Sequence, residues 1–271
     1  MDASLILVGG GKMGGALLAG WIARGLPASQ VRAVEPAEAA RKALEATLGV
    51  TVLAEPAGID AGFKPDVVVL AVKPQMMAAA APAYARFAGP GTFILSIAAG
   101  KTIATLRRLL GERAAIVRAM PNTPAAIGRG MTVCCAGPGV TPAQRKLANL
   151  LMKAVGEVAW VEEEGLLDPV TAVSGGGPAY VFLLVETLAA AGTAAGLPAD
   201  LALTLARATV SGSGELLRQS SEPPAALRRA VTSPAGTTLE ALKILMAPDG
   251  LEGLMIRAIA AATRRSRELS E

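Results

Sequence analysis

Short apolar runs recur along the first part of the chain, each closed by glycine, proline or charge, with helical periodicity between most of them. The runs predict strands at 4–8, 30–34, 67–72, 92–97, 115–119, 131–135 and 157–161. The intervening stretches predict helices at 16–24, 36–48, 76–87, 103–110 and 142–155. Alternation of this kind argues for a mostly parallel, doubly wound sheet. Past Glu164 the pattern changes and reads as helix only. Pro178 opens one helix that runs to Gly196, Pro198 opens the next and Pro224 another. The last two begin near Thr238 and Leu251, separated by the turn Pro248-Asp249-Gly250. The chain is therefore read as an α/β domain over residues 1–163 and a helical domain over 164–271.

Directly after the first apolar run, Leu5-Ile6-Leu7-Val8, stands Gly9-Gly10-Gly11-Lys12-Met13-Gly14. This is G-x-G-x-x-G between a strand and a helix, the setting in which its glycines permit a tight turn and close approach to a pyrophosphate. The free N–H groups and positive dipole of the following helix then face that anion. A Rossmann-like domain holding a nicotinamide dinucleotide is the expectation. Glu35 lies 21 positions after Gly14, at the end of the second strand, where a carboxylate bonds the adenosine ribose hydroxyls. Taken alone Glu35 favours NADH, because it would repel the 2′-phosphate of NADPH. Pro36 can turn that side chain away, however, and Arg32 or Arg41 could neutralise a phosphate. A solvated charge at a strand end is the plain structural alternative.

Composition narrows the chemistry. The 271-residue chain contains no histidine, which removes the usual imidazole acid, the serine triad and most zinc sites. Its net charge of +4 is spread out, and aromatics are only 3%, so no dense basic patch with stacking rings points to nucleic acid. The basic cluster Arg264, Arg265, Arg267 suits the charged end of a C-terminal helix. No apolar run approaches a bilayer span and the start lacks a signal-like pattern, so a cytoplasmic protein without a membrane partner is expected. Cys134 and Cys135 are adjacent on a strand and point to opposite faces, which excludes a disulfide between them. Glu162-Glu163-Glu164 reads as a solvated acidic face. The chemistry is left to the cofactor, and no metal site is expected.

Three further segments carry site-like residues. Ala71-Val72-Lys73-Pro74 follows a buried strand, on the edge where ligands of open α/β sheets lie. Lys73 there either anchors a phosphate or ribose, or merely closes the strand. In Met120-Pro121-Asn122-Thr123-Pro124 two prolines stiffen a loop whose Asn122 offers donors and acceptors to a carboxamide or a substrate. In Ser233-Pro234-Ala235-Gly236-Thr237-Thr238, Thr237 and Glu240 fit a capping box, leaving the Thr238 hydroxyl free at the first helical position. The N–H groups around Gly236 to Thr238, with Ser233, would suit a carboxylate.

Together with Ser174-Gly175-Gly176-Gly177-Pro178-Ala179-Tyr180, these motifs make the chain resemble the pyrroline-5-carboxylate reductases, which close proline biosynthesis. The resemblance runs over almost the whole length. It implies a Rossmann domain followed by an all-helical dimerisation domain, a homodimer often built into larger rings, and NADPH as cofactor with NADH as the alternative. By position it gives Thr238 the hydrogen bond to the ring nitrogen, and Ser233, Gly236 and Thr237 the substrate carboxylate, with Ser174 and Gly175 as further substrate-binding residues. The cofactor residues implied are Gly9, Gly10, Gly11, Lys12, Met13, Gly14, Glu35, Ala71, Val72, Lys73, Pro74, Pro121 and Asn122. Two positions depart from the pattern: Gly176 stands for serine, and Ala235 for a common glycine that alanine would strain if φ is positive. Other imine reductases, β-hydroxyacid dehydrogenases and a regulatory protein without turnover are the rival readings.

Overall fold

The structure is a computed structural model and describes residues 2–270. Eight strands among them form one sheet in the order β3-β2-β1-β4-β5-β6-β7-β8. They are β1 (Leu5–Val8), β2 (Val31–Val34), β3 (Thr51–Leu53), β4 (Val67–Leu70), β5 (Phe93–Ser96), β6 (Ala115–Met120), β7 (Gly130–Ala136) and β8 (Gly156–Val161). All seven predicted strands are present, and β3 is an addition. Pairing is parallel except between β6 and β7, where Arg118 faces Cys135. At the centre β1 pairs with β2 on one side and β4 on the other, Leu5 opposite Val31 and Val67. The chain thus builds outward to β3, then returns across β1 to start the other half. That reversal leaves a crevice at the carboxyl ends of β1 and β4.

Both faces of the sheet are covered, as continuous rather than alternating apolar strands require. Leu5, Leu7, Val67, Val69, Phe93 and Leu95 pack on one side, against α1 (Lys12–Ala23) and its Trp21. Ile6, Val68, Leu70, Ile94 and Ile116 pack on the other. Each such side chain, wholly buried, contributes about 1.5–3 kcal/mol. The Trp21 indole N–H donates to the Leu151 carbonyl at 2.9 Å, so its one polar atom is satisfied inside the core. Cys134 and Cys135 divide between the two faces, both free and buried. Burial pushes the Cys134 thiol up to about 12, and the neighbouring Cys135 adds to the rise.

The remaining helices of this layer are α2 (Glu38–Leu48), α3 (Met77–Ala80), α4 (Ile103–Leu110) and α5 (Pro142–Lys153). The continuous helix expected at 76–87 is broken. Only α3 is α-helical, between the 3₁₀ turns Pro74–Met76 and Ala81–Phe87, because Pro82 cannot donate to the helical ladder. Thr141 and Gln144 form a capping box at the start of α5, with Pro142 at its first position.

The first compact unit extends to Gly175 and takes back the residues from Ala262 on; the second is Gly176–Ala261. Near the end of the first run, α6 (Leu167–Val170) leads into a π-turn, Thr171–Gly175. The Ser266 hydroxyl donates to Asp168 Oδ1 at 2.7 Å, fixing the returning segment to α6. The second unit carries α7 (Gly177–Ala194), α8 (Ala199–Gln219), α9 (Pro224–Ala230), α10 (Thr237–Leu245) and most of α11 (Leu251–Glu268). α7 and α8 meet where Gly192 lies against Ala202. Elsewhere they expose large apolar side chains, among them Phe182, Leu183, Leu184 and Leu216.

By length and composition alone, the helical stretch Glu164–Ala194, 31 residues long, could cross a membrane. One expectation is corrected: the acidic triplet is not a solvated face throughout. Glu164 Oε1 accepts from the Ile103 N–H and from the Arg118 guanidinium, each at 2.7 Å, and Glu162 pairs with Arg145 at 3.0 Å. Of the three, Glu163 alone forms no ion pair among the described residues.

Candidate active site

The glycine loop is shaped by the strands around it. Gly9 donates its N–H to the Val34 carbonyl, and Ala71 donates to the Val8 carbonyl, so β1, β2 and β4 end together. Gly9 has φ 96°, and a Cβ there would stand 2.8 Å from the Ala71 carbonyl oxygen. A side chain at Gly14 would run into the Gly9 carbonyl, so the first turn of α1 packs directly on the loop. Gly11 differs: nothing lies within 4 Å of its missing side chain. It is the N-cap of α1 and makes no side-chain cap. The loop is therefore closed on the protein side and open on the solvent side, with uncapped helix N–H groups at the opening. A pyrophosphate fits such a cradle.

The other residues expected at the cofactor sort by what holds them. Lys12 is exposed, whereas Met13 packs against the core, so its backbone alone faces the loop. Glu35 curls over the loop, Oε2 accepting the Gly10 N–H at 2.7 Å and Oε1 the Ala37 N–H at 2.9 Å. Ala71 and Val72 pack into opposite faces of the core, while Lys73 is exposed just before Pro74. Pro121 is buried. Asn122 is held at both ends of its amide: Oδ1 accepts the Met131 N–H at 2.8 Å, and Nδ2 donates to the Ser174 hydroxyl at 3.2 Å. The π-turn is thereby tied to the end of β6 through Ser174, a link that spacing could not reveal. Gly175 sits against the Met120 sulfur, 3.7 Å from where its Cβ would be. A cavity of about 580 Å³ beside Phe63, Asp66 and Arg86 lies at the opposite edge, before β4 and β5, away from these groups.

In the second unit the Ser233–Thr238 loop forms the start of α10. The expected capping box is absent. Gly236 takes the extended N-cap conformation, Thr237 becomes the first helical residue, and Glu240 pairs with Lys243 at 2.7 Å instead. The helix therefore begins one residue earlier than the Thr-x-x-Glu pattern suggested. Its first N–H groups have no side-chain cap, and the Thr237, Thr238 and Ser233 side chains are exposed. The Ser233 hydroxyl lies against the Gly236 α-carbon, so any side chain at 236 would displace it. Ala235 has φ 57°, the one non-glycine residue with positive φ among those described. Gly176, at φ −81° and ψ −22°, has a conformation that serine could share. No cluster of metal-ligating side chains occurs among the described residues.

A doubly wound sheet with an open glycine cradle at its switch point, followed by helices, defines a dinucleotide-dependent oxidoreductase. Comparison with known proteins narrows this. Residues 164–269 match the family model for pyrroline-5-carboxylate reductase dimerisation, and residues 4–100 that for NADP oxidoreductase, coenzyme F420-dependent. Pyrroline-5-carboxylate reductase of Pseudomonas aeruginosa is 41% identical over 267 residues, 98% of this chain and 97% of that protein. That of Synechocystis is 41% identical over the full length of both. Among solved structures, a pyrroline-5-carboxylate reductase from Coxiella burnetii superposes with TM-score 0.93 at 33% identity, covering 100% of each chain. The Plasmodium falciparum enzyme with NADP bound gives 0.83 at 27% identity, covering 100% of this chain and 99% of that one. The chain belongs to the pyrroline-5-carboxylate reductase family.

Proposed function

We infer that the protein reduces 1-pyrroline-5-carboxylate to L-proline with NAD(P)H, the last step of proline biosynthesis. The observation that carries this is similarity from end to end with reductases of that name, so neither half is borrowed from another enzyme. A bound reduced nicotinamide would supply the hydride that goes to the imine carbon. The chain's residues bind, orient and exclude water. Gly9, Gly10, Gly11, Lys12, Met13 and Gly14 form the pyrophosphate cradle, with Glu35, Ala71 to Pro74, Pro121 and Asn122 around it. Ser233, Gly236 and Thr237 hold the substrate carboxylate through N–H groups and a hydroxyl, and Ser174 and Gly175 are further substrate-binding residues. Thr238 orients the ring nitrogen and relays a proton through water. An imine can arrive already protonated, so the lack of histidine is no obstacle. Holding reactants at about 3–3.5 Å is the larger contribution.

In this reading residues 1–163 bind the cofactor, and 164–271 bind substrate and dimerise. The dimer extends to a larger ring, and the enzyme works in the cytoplasm. Thr238→Ala should lower turnover by at least about tenfold while cofactor affinity stays within about twofold. Loss of absorbance at 340 nm with the imine, beside cofactor titration without it, measures both. Unchanged turnover in the variant would sink the role of Thr238, and no turnover in the wild type would sink the activity.

A further inference from the structure

Resting on the glycine loop as a nicotinamide-dinucleotide cradle, we propose that Glu35 makes this site discriminate against a 2′-phosphate, so that NADH binds more tightly than NADPH. A carboxylate at the end of the second strand accepts the O–H groups of a ribose diol. A 2′-phosphate has only acceptors to offer and carries about −1.5 to −2 charge at pH 7. The outcome depends on whether Glu35 can move away and whether a cation offsets it.

Glu35 is held. Its two oxygens take separate backbone donors, the Gly10 and Ala37 N–H groups at 2.7 and 2.9 Å. Charged acceptors make the stronger hydrogen bonds, and turning the side chain out would break both. Its Cβ and Cγ also lie 3.4 Å from where a Cβ on Gly10 would stand, flat along the loop. Pro36 therefore does not turn the carboxylate away.

Neither nearby arginine forms an ion pair with it. Arg32 points elsewhere, its guanidinium 4.7 Å from the Phe63 ring centroid, 3.7 Å from Asp60, and donating to the Ser29 and Val31 carbonyls. Arg41 reaches the β2–α2 turn but spends its Nη1 on the carbonyls of Glu35 and Pro36, at 3.1 and 2.6 Å. No ion pair among the described residues includes Glu35. The carboxylate therefore meets the cofactor with no ion-pair partner of its own among the described residues.

The test is equilibrium titration of the full chain with NADH and with NADPH, without substrate, followed by quenching of tryptophan fluorescence. Wild type should bind NADH at least about tenfold more tightly. Glu35→Gln keeps the shape and an acceptor oxygen but removes the charge, and should shrink that ratio by about tenfold, mainly by tightening NADPH. Glu35→Asp keeps the charge and should keep NADH ahead, which guards against a misfolded Gln variant. NADPH binding tighter in wild type, with selective loss of NADPH in Arg41→Ala, would overturn the proposal and give the phosphate to Arg41. An unchanged ratio in Glu35→Gln would also overturn it. Binding of neither dinucleotide would remove the proposal together with the reading of the loop, and is told apart by the absence of any signal.

Discussion

At the scale of single residues the sharpest feature is Ala235, at φ 57° in the loop before α10. A β-carbon in the left-handed region costs about 1–2 kcal/mol. Glycine would remove that cost but add freedom to the unfolded chain, worth about 0.4–1 kcal/mol in the other direction. Ala235→Gly should therefore stabilise the protein by about 0.5–1 kcal/mol, read as a raised urea midpoint at constant slope. A lowered midpoint would mean the loop is not strained. The sequence could state only the condition, that alanine strains this position if φ is positive, because the sign of φ depends on how the turn closes onto Ser233. The glycine cradle was legible for the opposite reason: a strand, three glycines and a helix permit few other geometries. The carboxylate of Glu35 was legible as a residue at a strand end, but the two N–H groups that hold it come from the folded loop.

At the scale of elements, α4 shows how a charge shared between segments fixes a helix. Glu164 Oε1 receives the Ile103 N–H at the first turn of α4 and the Arg118 guanidinium from β6. Arg118 keeps only 7% of its side chain exposed, against 30% for Glu164. Breaking such a pair leaves a buried cation unpaired, so Glu164→Ala should cost about 3 kcal/mol, the low end because Glu164 is partly solvated. Chemical denaturation would measure this, and Arg118→Met combined with Glu164→Ala should recover part of the loss. A double variant as unstable as the sum of the singles would refute the pairing. From sequence, Glu164 was one of three consecutive glutamates with nothing to mark its partners, which lie 46 and 61 positions away. Short or broken elements were obscure for local reasons. Thr51-Val52-Leu53 is too short to show alternation, and Pro82 breaks a segment whose alanines otherwise favour helix. The Thr-x-x-Glu pattern at 237–240 fits a cap in sequence, but Gly236 takes the cap position first.

For the molecule as a whole, the apolar side chains exposed on α7 and α8 fall within residues 164–269, which match the family model for dimerisation, and a second copy of the chain is the partner to test for that face. Phe182, 61% exposed in the single chain, is a good probe. Phe182→Glu should shift the species seen in sedimentation velocity from dimer or larger to monomer at about 10 μM, since a buried unpaired carboxylate costs several kcal/mol. An unaltered dimer would place the interface on another face. Strand alternation and the proline-led helices made both architectural halves readable before any coordinates. What the linear order hid is that the residues from Ala262 onward belong with the beginning of the chain, pinned there through Ser266 and Asp168. A protein is synthesised from its N-terminus, and domains tend to fold as they emerge. Here the cofactor-binding half cannot be completed on the ribosome ahead of the helices that follow it, because its last piece is made after them. The nascent chain must extend past Ala262 before its first compact unit is whole.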